Sequence, residues 1–391
     1  MEQIIEAIRA RGARQQPLWD DAEKVRRVRD ALASRPPLVR KADVLRLRSH
    51  LAMVAAGGAL VIQAGDCAED PAECSRSDVW RKCAVLDHLA ATLKMVTHRP
   101  ILRVGRIAGQ FAKPRTEAFE RVDGMDLPAY RGHMVNGPAA DVASRHPDPL
   151  RIVTGYMAAS EIMDQLGWRQ ALSCSAHEPI EPRVWASHEA LLLDYEVPMR
   201  RKDRGGDTWL SSTHWPWIGE RTRQVDGAHV ALLADVVNPV ACKVGPHANA
   251  HELVALCEQL DPEQVPGRLT LIARMGADLV ADRLPPLVRA VRGAGHPVIW
   301  LSDPMHGNTV TDPDGTKFRI VETIRSEVRE FQLAVVGAGG VAGGLHLETT
   351  PDQVAECRME PSDNGLYSSL CDPRLTLAQA TSVVAAWRNL S

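Results

Sequence analysis

Pro297–Thr309, PVIWLSDPMHGNT, is the stretch on which the fold turns. Val298, Ile299, Trp300 and Leu301 form a short apolar run without polar alternation, closely bounded by proline and glycine. That pattern favours a strand covered on both faces over a helix. At its C-terminal end the chemistry changes at once to Asp303, His306 and Asn308, with Pro304 and Gly307 shaping the turn. A buried parallel strand that releases an acid and an imidazole from its end is the usual anatomy of an α/β active site. A core strand followed by an ordinary polar turn explains the stretch equally well when it is taken alone.

Working outward, similar apolar runs recur in alternation with helical patterns. Ala59–Ala64, Pro100–Val104, Ala190–Tyr195 and the HWPWIG region are the first four strand candidates. Pro239–Val244, Leu269–Ala273, Val298–Leu301 and Gly344–Glu348 are the next four. Helices are expected after Ser77, over Arg151–Leu166, around Glu252–Leu260, through Val288, around Phe318–Phe331 and near Pro351–Cys357. Eight strands alternating with helices predict an α/β fold, a closed (β/α)8 TIM barrel. An open doubly wound sheet is the alternative, but no GxGxxG follows the first strand with a downstream acid. The glycines of Gly337–Gly344 precede a strand and read as loop.

Residues 1–57 read instead as an N-terminal helical extension. Ile4, Ile5 and Ile8 share a face, as do Val25, Val28 and Leu32, and then Val44, Leu47 and Leu51. The barrel is expected over 58–391, with an insertion after strand two at about 108–186, rich in Gly, Pro and charge. The 391 residues carry a net charge of −3, with 45% hydrophobic and 24% charged residues. This balance gives no footprint for nucleic acid or an anionic membrane. The long uncharged run Leu51–Gly65 is too short to span a bilayer. Eight cysteines without a CxxC pair fit reduced thiols, and no export signal opens the chain, so a cytoplasmic protein is expected.

Reactive side chains fall at the ends of these strands. Cys67 and Glu69 follow the first, Arg106 the second, and Glu220 with Arg221 the fourth. Lys243 ends the fifth, Arg274 the sixth, Asp303 and His306 follow the seventh, and Glu348 ends the eighth. Burying unpaired ions is costly, so their gathering at one end of six or more strands favours a site on one barrel face. Two sets separate. Arg106, Arg221, Lys243 and Arg274 suit a small, multiply anionic substrate. Lys113, Arg115 and Thr116 add a second basic group with a hydroxyl, which spacing alone leaves as a solvated loop. Cys67, His306, Glu348 and Asp372 offer a thiolate, an imidazole and two carboxylates to a borderline divalent ion, Mn, Fe, Co or Zn. No local spacing supports that set, and a buried cysteine alone is more often an apolar filler.

The segments LVIQAGDCAED, RVGRIAGQFAKPRTE, SHEALLLDYE, STHWPWIGERTRQVDGAHV, NPVACKVGP, LTLIARMGA, VIWLSDPMHGNT, GLHLETT and CDPRLT resemble class II 3-deoxy-D-arabino-heptulosonate 7-phosphate (DAHP) synthases. The resemblance runs from about residue 55 to 380 and is closest to the short subgroup of phenazine biosynthesis. It implies condensation of phosphoenolpyruvate with erythrose 4-phosphate on a barrel with a helical extension. It also implies Cys67, His306, Glu348 and Asp372 as metal ligands, with Mn2+ or Co2+ foremost and Zn2+ or Fe2+ as further options. Arg106, Glu220, Arg221, Lys243 and Arg274 match the phosphoenolpyruvate site, and Lys113, Arg115 and Thr116 the erythrose 4-phosphate motif. Thr116 departs from the serine of longer members. Lys113 is the candidate proton donor and Glu220 the candidate for positioning water. The other expected features are a homo-oligomer, dimer or tetramer, and no nucleic-acid or membrane partner. The alternatives are an enzyme using an imino tetrose phosphate and a non-catalytic pathway scaffold, the latter disfavoured because the site set has no gaps.

Overall fold

The computed structural model describes residues 6–8, 10–122, 124–168, 182–313, 315–359 and 366–389. Eight parallel strands carry the fold: β1 (Leu60–Gly65), β2 (Ile101–Arg106), β3 (Trp185–Glu189), β4 (Trp215–Ile218), β5 (Val240–Val244), β6 (Leu269–Ala273), β7 (Ile299–Ser302) and β8 (Val341–Glu348). They close into a barrel in the order β1-β8-β7-β6-β5-β4-β3-β2. The main helices are α1 (Ala22–Ser34), α2 (Lys41–Ala55), α3 (Arg76–Thr97), α4 (Leu150–Gln165), α5 (Ala228–Ala234), α6 (Ala250–Leu260), α7 (Val280–Gly293), α8 (Val321–Gly337) and α9 (Leu377–Val384). Every residue of β5, β6 and β7 is buried, as a strand covered on both faces requires. Among the described residues, no helix is long and apolar enough to cross a membrane.

Backbone contacts divide the chain into two compact units. The first holds Met1–Val44, Ala68–Val79 and Ile107–Asn238, and with them β3 and β4. There Asp21 caps α1 by accepting the Lys24 N–H at 2.8 Å, and Val25, Val28 and Leu32 turn inward. The Ile8 position is buried as its helical pattern predicts, whereas Ile4 and Ile5 lie outside the described residues.

The second unit holds Leu45–Cys67, Trp80–Arg106 and Pro239–Ser391, with the other six strands. Here β1 is flanked on both sides, in the registers Gly65↔Glu348 and Gly65↔Arg106. The pairing with β8 is close enough that a Cβ on Gly344, where φ is +139°, would stand 1.9 Å from the Val61 carbonyl oxygen. Only glycine meets both conditions.

Four sequence expectations need correction. The third strand is Trp185–Glu189, and Ala190–Tyr195 instead runs into a single helical turn at Leu193–Glu196. Its apolar residues are buried for another reason: Gln16 accepts the Leu193 N–H and donates to the Leu191 carbonyl, each at 2.9 Å, so the N-terminal segment satisfies this backbone. Phe318 belongs to the strand Lys317–Ile320, with α8 beginning only at Val321. Pro351–Cys357 forms no helix, because the fully buried Glu356 turns its carboxylate to the N–H groups of Ser369 (2.7 Å) and Arg374 (2.8 Å). Of the glycine stretch only residues 338–340 are loop, since α8 runs through Gly337 and β8 starts at Val341.

Candidate active site

In the second unit the end of β7 builds the first part of the site. Asp303 is fully buried and accepts from Lys243 Nζ at 2.9 Å and from His306 Nδ1 at 2.8 Å. It also accepts the backbone N–H of Met305 and His306, each at 3.2 Å. Burial pushes this carboxyl up, but the neighbouring His306 and Lys243 outweigh it and hold it well below the usual carboxylate range. The bond to Nδ1 orients the ring so that Nε2 faces Glu348 Oε1 at 3.3 Å and Asp372 Oδ2 at 3.9 Å. Lys243 is itself buried, and burial together with Arg106 lowers its pKa despite Asp303 and Glu348. Arg274 follows β6 directly and donates from Nη2 to the His306 carbonyl at 3.0 Å.

Glu348, at the end of β8, is clamped between two buried arginines. Arg106 donates to Oε1 at 2.9 Å and Arg319 to Oε2 at 2.8 Å. Arg106 also donates through Nε to the Asp66 carbonyl at 3.0 Å. Its Nη1 lies 2.6 Å from His346 Nε2, while His346 Nδ1 lies 2.6 Å from Gln63 Oε1. Burial, reinforced by Lys243 and Arg106, pushes the pKa of His346 well below its ordinary value. A neutral ring with its proton on Nδ1 satisfies both bonds.

These placements bring His306, Glu348 and Asp372 into one group, their ligand atoms all within 4.8 Å of one another. Two atoms bound at about 2.0–2.2 Å to a common ion stand at most about 4.4 Å apart, and His306 Nε2 lies inside that limit from both Glu348 Oε1 and Asp372 Oδ2, so the group could hold a divalent metal. One imidazole and two carboxylates suit a borderline or hard ion. Cys67 is buried two residues beyond β1, outside this three-residue group. Its Sγ lies 3.2 Å from Ser369 Oγ, which donates to the Asp372 carbonyl at 2.7 Å. The thiol therefore adjoins the segment that carries Asp372. Lys317 Nζ donates to Asp372 Oδ1 at 3.2 Å.

The first unit holds the remaining predicted residues. Arg221 Nη2 donates to Thr116 Oγ1 at 2.7 Å, which joins two residues assigned to different substrates. Glu220 pairs with Arg223 at 3.0 Å, and Lys113 is buried. Arg115 pairs with Glu120, which Arg145 also engages, and its backbone N–H donates to Gln15 Oε1 at 2.9 Å. Glu69 holds the loop after β2 by accepting the N–H of Ala108 (3.0 Å), Gly109 (2.8 Å) and Gln110 (2.7 Å).

Sequence reasoning noticed Asp303 without giving it a task and passed over His346 and Arg319. Alternation along β8 points to His346, since His346 and Glu348 share a strand face. Arg319 was obscured because its segment read as helix.

The match to known proteins shows the family. The model of the class-II DAHP synthetase family matches residues 4–178 and 159–386, and the chain belongs to that family. It is 55% identical to a Pseudomonas fluorescens protein named "probable phospho-2-dehydro-3-deoxyheptonate aldolase", over 99% of this chain and 98% of that one. A Streptomyces coelicolor phospho-2-dehydro-3-deoxyheptonate aldolase is 38% identical over 94% and 93%. The solved phospho-2-dehydro-3-deoxyheptonate aldolase of Francisella tularensis shares the fold at 15% identity, with a TM-score of 0.56 covering 92% and 97% of the two chains. The chain is a 3-deoxy-7-phosphoheptulonate synthase of class II.

Proposed function

We propose that the chain condenses phosphoenolpyruvate with D-erythrose 4-phosphate and water, releasing phosphate, as a cytoplasmic first step of the shikimate pathway that feeds phenazine or another secondary product. The observation that carries this reading is the His306, Glu348 and Asp372 group beside the buried Arg106 and Lys243. A divalent ion, Mn2+ or Co2+ foremost, would be held by those three residues with Cys67 as fourth ligand, and would polarise the aldehyde oxygen when bound. Arg106, Lys243, Arg274 and Arg221 hold the phosphate and carboxylate of phosphoenolpyruvate, lowering the cost of bringing two anions together. Lys113, Arg115 and Thr116 hold erythrose 4-phosphate. Carbon 3 of phosphoenolpyruvate attacks the aldehyde carbon, and Lys113 gives a proton to the aldehyde oxygen. Glu220 positions the water that adds to carbon 2, and phosphate leaves from the resulting hemiketal.

The test is phosphate release with both substrates, with and without chelator. Activity should vanish on chelation and return with Mn2+ or Co2+, and full turnover by demonstrably metal-free protein would refute the metal's role. Faster turnover of an imino tetrose phosphate than of erythrose 4-phosphate would move the assignment to the amino analogue of the reaction. No phosphate release with either substrate would leave a scaffold.

Arg274 supplies a finer test. Arg274→Lys keeps the charge and removes the planar fork. The loss of about one charge-assisted hydrogen bond, roughly 1.5–3 kcal/mol, should lower kcat/KM for phosphoenolpyruvate about tenfold or more. Unchanged kinetics would remove Arg274 from the substrate site.

A further inference from the structure

Glu327 breaks the pattern of its own helix. α8 turns Val321, Ile324, Val328, Phe331 and Val335 into the core, and Glu327 shares their burial at 1% exposure. A buried carboxylate is costly unless its oxygens are engaged. These are engaged from two loops outside α8. Oε1 accepts the N–H of Met275 at 3.1 Å and of Gly276 at 3.0 Å, in the loop after β6. Oε2 accepts from Asn308 Nδ2 at 2.5 Å, in the loop after β7. Burial and the nearby Asp303 charge push the Glu327 carboxyl up to about 8, while its three donors pull the other way.

The two loops are locked together where Glu327 meets them. Asn308 Oδ1 accepts the Ala277 N–H at 3.0 Å, and its Nδ2 also donates to the Pro304 carbonyl at 2.8 Å. A Cβ on Gly307 would stand 2.3 Å from the Gly276 nitrogen, so the backbones pass at a distance only glycine permits. Arg274 stands one residue before the first N–H that Glu327 holds, and His306 two residues before Asn308. The Arg274 bond to the His306 carbonyl closes the ring of contacts.

We propose that Glu327 is a positioning residue of the reaction: holding Met275–Gly276 on one oxygen and Asn308 on the other, it sets the reach of the Arg274 guanidinium and the direction of the His306 imidazole together. The inference rests on the roles given above to Arg274 and His306. It has a consequence that simple core packing lacks, because the two oxygens serve different loops. Glu327→Gln retains an acceptor for the two backbone N–H groups, but presents an N–H₂ to the Asn308 amide, itself a donor there. Glu327→Ala removes both arms.

The experiment measures Mn2+ affinity, from free Mn2+ by electron paramagnetic resonance, alongside KM for phosphoenolpyruvate and Tm. Glu327→Gln is expected to weaken Mn2+ binding about tenfold, the lower end of what supporting partners of metal ligands cost, with KM within about twofold of wild type. Glu327→Ala should weaken Mn2+ binding at least as much and raise KM about tenfold as well. A fall in Tm with Mn2+ affinity and KM unchanged in both variants would overturn the proposal, as would equal losses in both parameters for Glu327→Gln. If Glu327→Ala does not fold, the split in Glu327→Gln decides alone. Arg274→Lys and His306→Ala run in parallel. Unchanged KM in the first and unchanged Mn2+ affinity in the second would overturn the site roles and this proposal with them, whereas losses there without losses at Glu327 would overturn this proposal only.

Discussion

Glu348→Ala is expected to abolish turnover, eliminate measurable binding of the divalent ion and destabilise the fold by about 3–5 kcal/mol, the usual cost of orphaning buried charge. Glu348 lies at the end of β8 with no exposure, between Arg106 and Arg319. Removing it takes away one member of the His306, Glu348 and Asp372 group and deprives the buried Arg106 and Arg319 of the carboxylate they share. Glu348→Gln keeps the shape and one acceptor, so it should fold better than the alanine variant while still losing the ion. Calorimetric titration with Mn2+ and thermal unfolding of both variants separate the two effects. Wild-type Tm and wild-type Mn2+ affinity in Glu348→Ala would refute the clamp.

Lys243→Met should lower kcat by about 10³, close to 4 kcal/mol, within the range found when one partner of a buried charge pair is truncated. The ammonium is buried at the end of β5 and donates to Asp303 at 2.9 Å. Methionine nearly preserves volume, so the loss isolates the charge rather than the packing. Asp303 then keeps only the His306 ring among its two side-chain donors, and under the proposed function the site loses a cation against its anionic substrate. Steady-state kinetics with both substrates is the measurement. A kcat within about twofold of wild type would show that Lys243 serves the fold alone.

The strands were legible where apolar runs were short and bounded by Pro or Gly, as at Leu269–Ala273 and Ile299–Ser302. Lys243, Arg274, His306 and Glu348 were legible for a related reason: a charge beside such a run has few structural explanations. Where burial had another origin, the local pattern carried no such sign. Ala190–Tyr195 is apolar because the N-terminal segment covers it, a long-range fact with no local periodicity. Arg319 and Glu327 were missed because each reaches across segments, to Glu348 and to Met275. A glutamate on the apolar face of α8 was nevertheless a visible signal, since charged residues are rarely fully buried without a task.

The pairing of β1 with β8 also sets a clock for folding. Gln63 and His346, bonded side chain to side chain in the finished barrel, are 283 residues apart in the chain. At a synthesis rate of about 5–20 residues per second, β1 waits roughly 15–60 s on the ribosome before its partner strand exists. During that interval one edge of LVIQAG has no native neighbour, and an unpaired apolar edge is an aggregation template. Closure so late and so non-local makes folding slow for the size of the protein and gives chaperones a defined segment to shield.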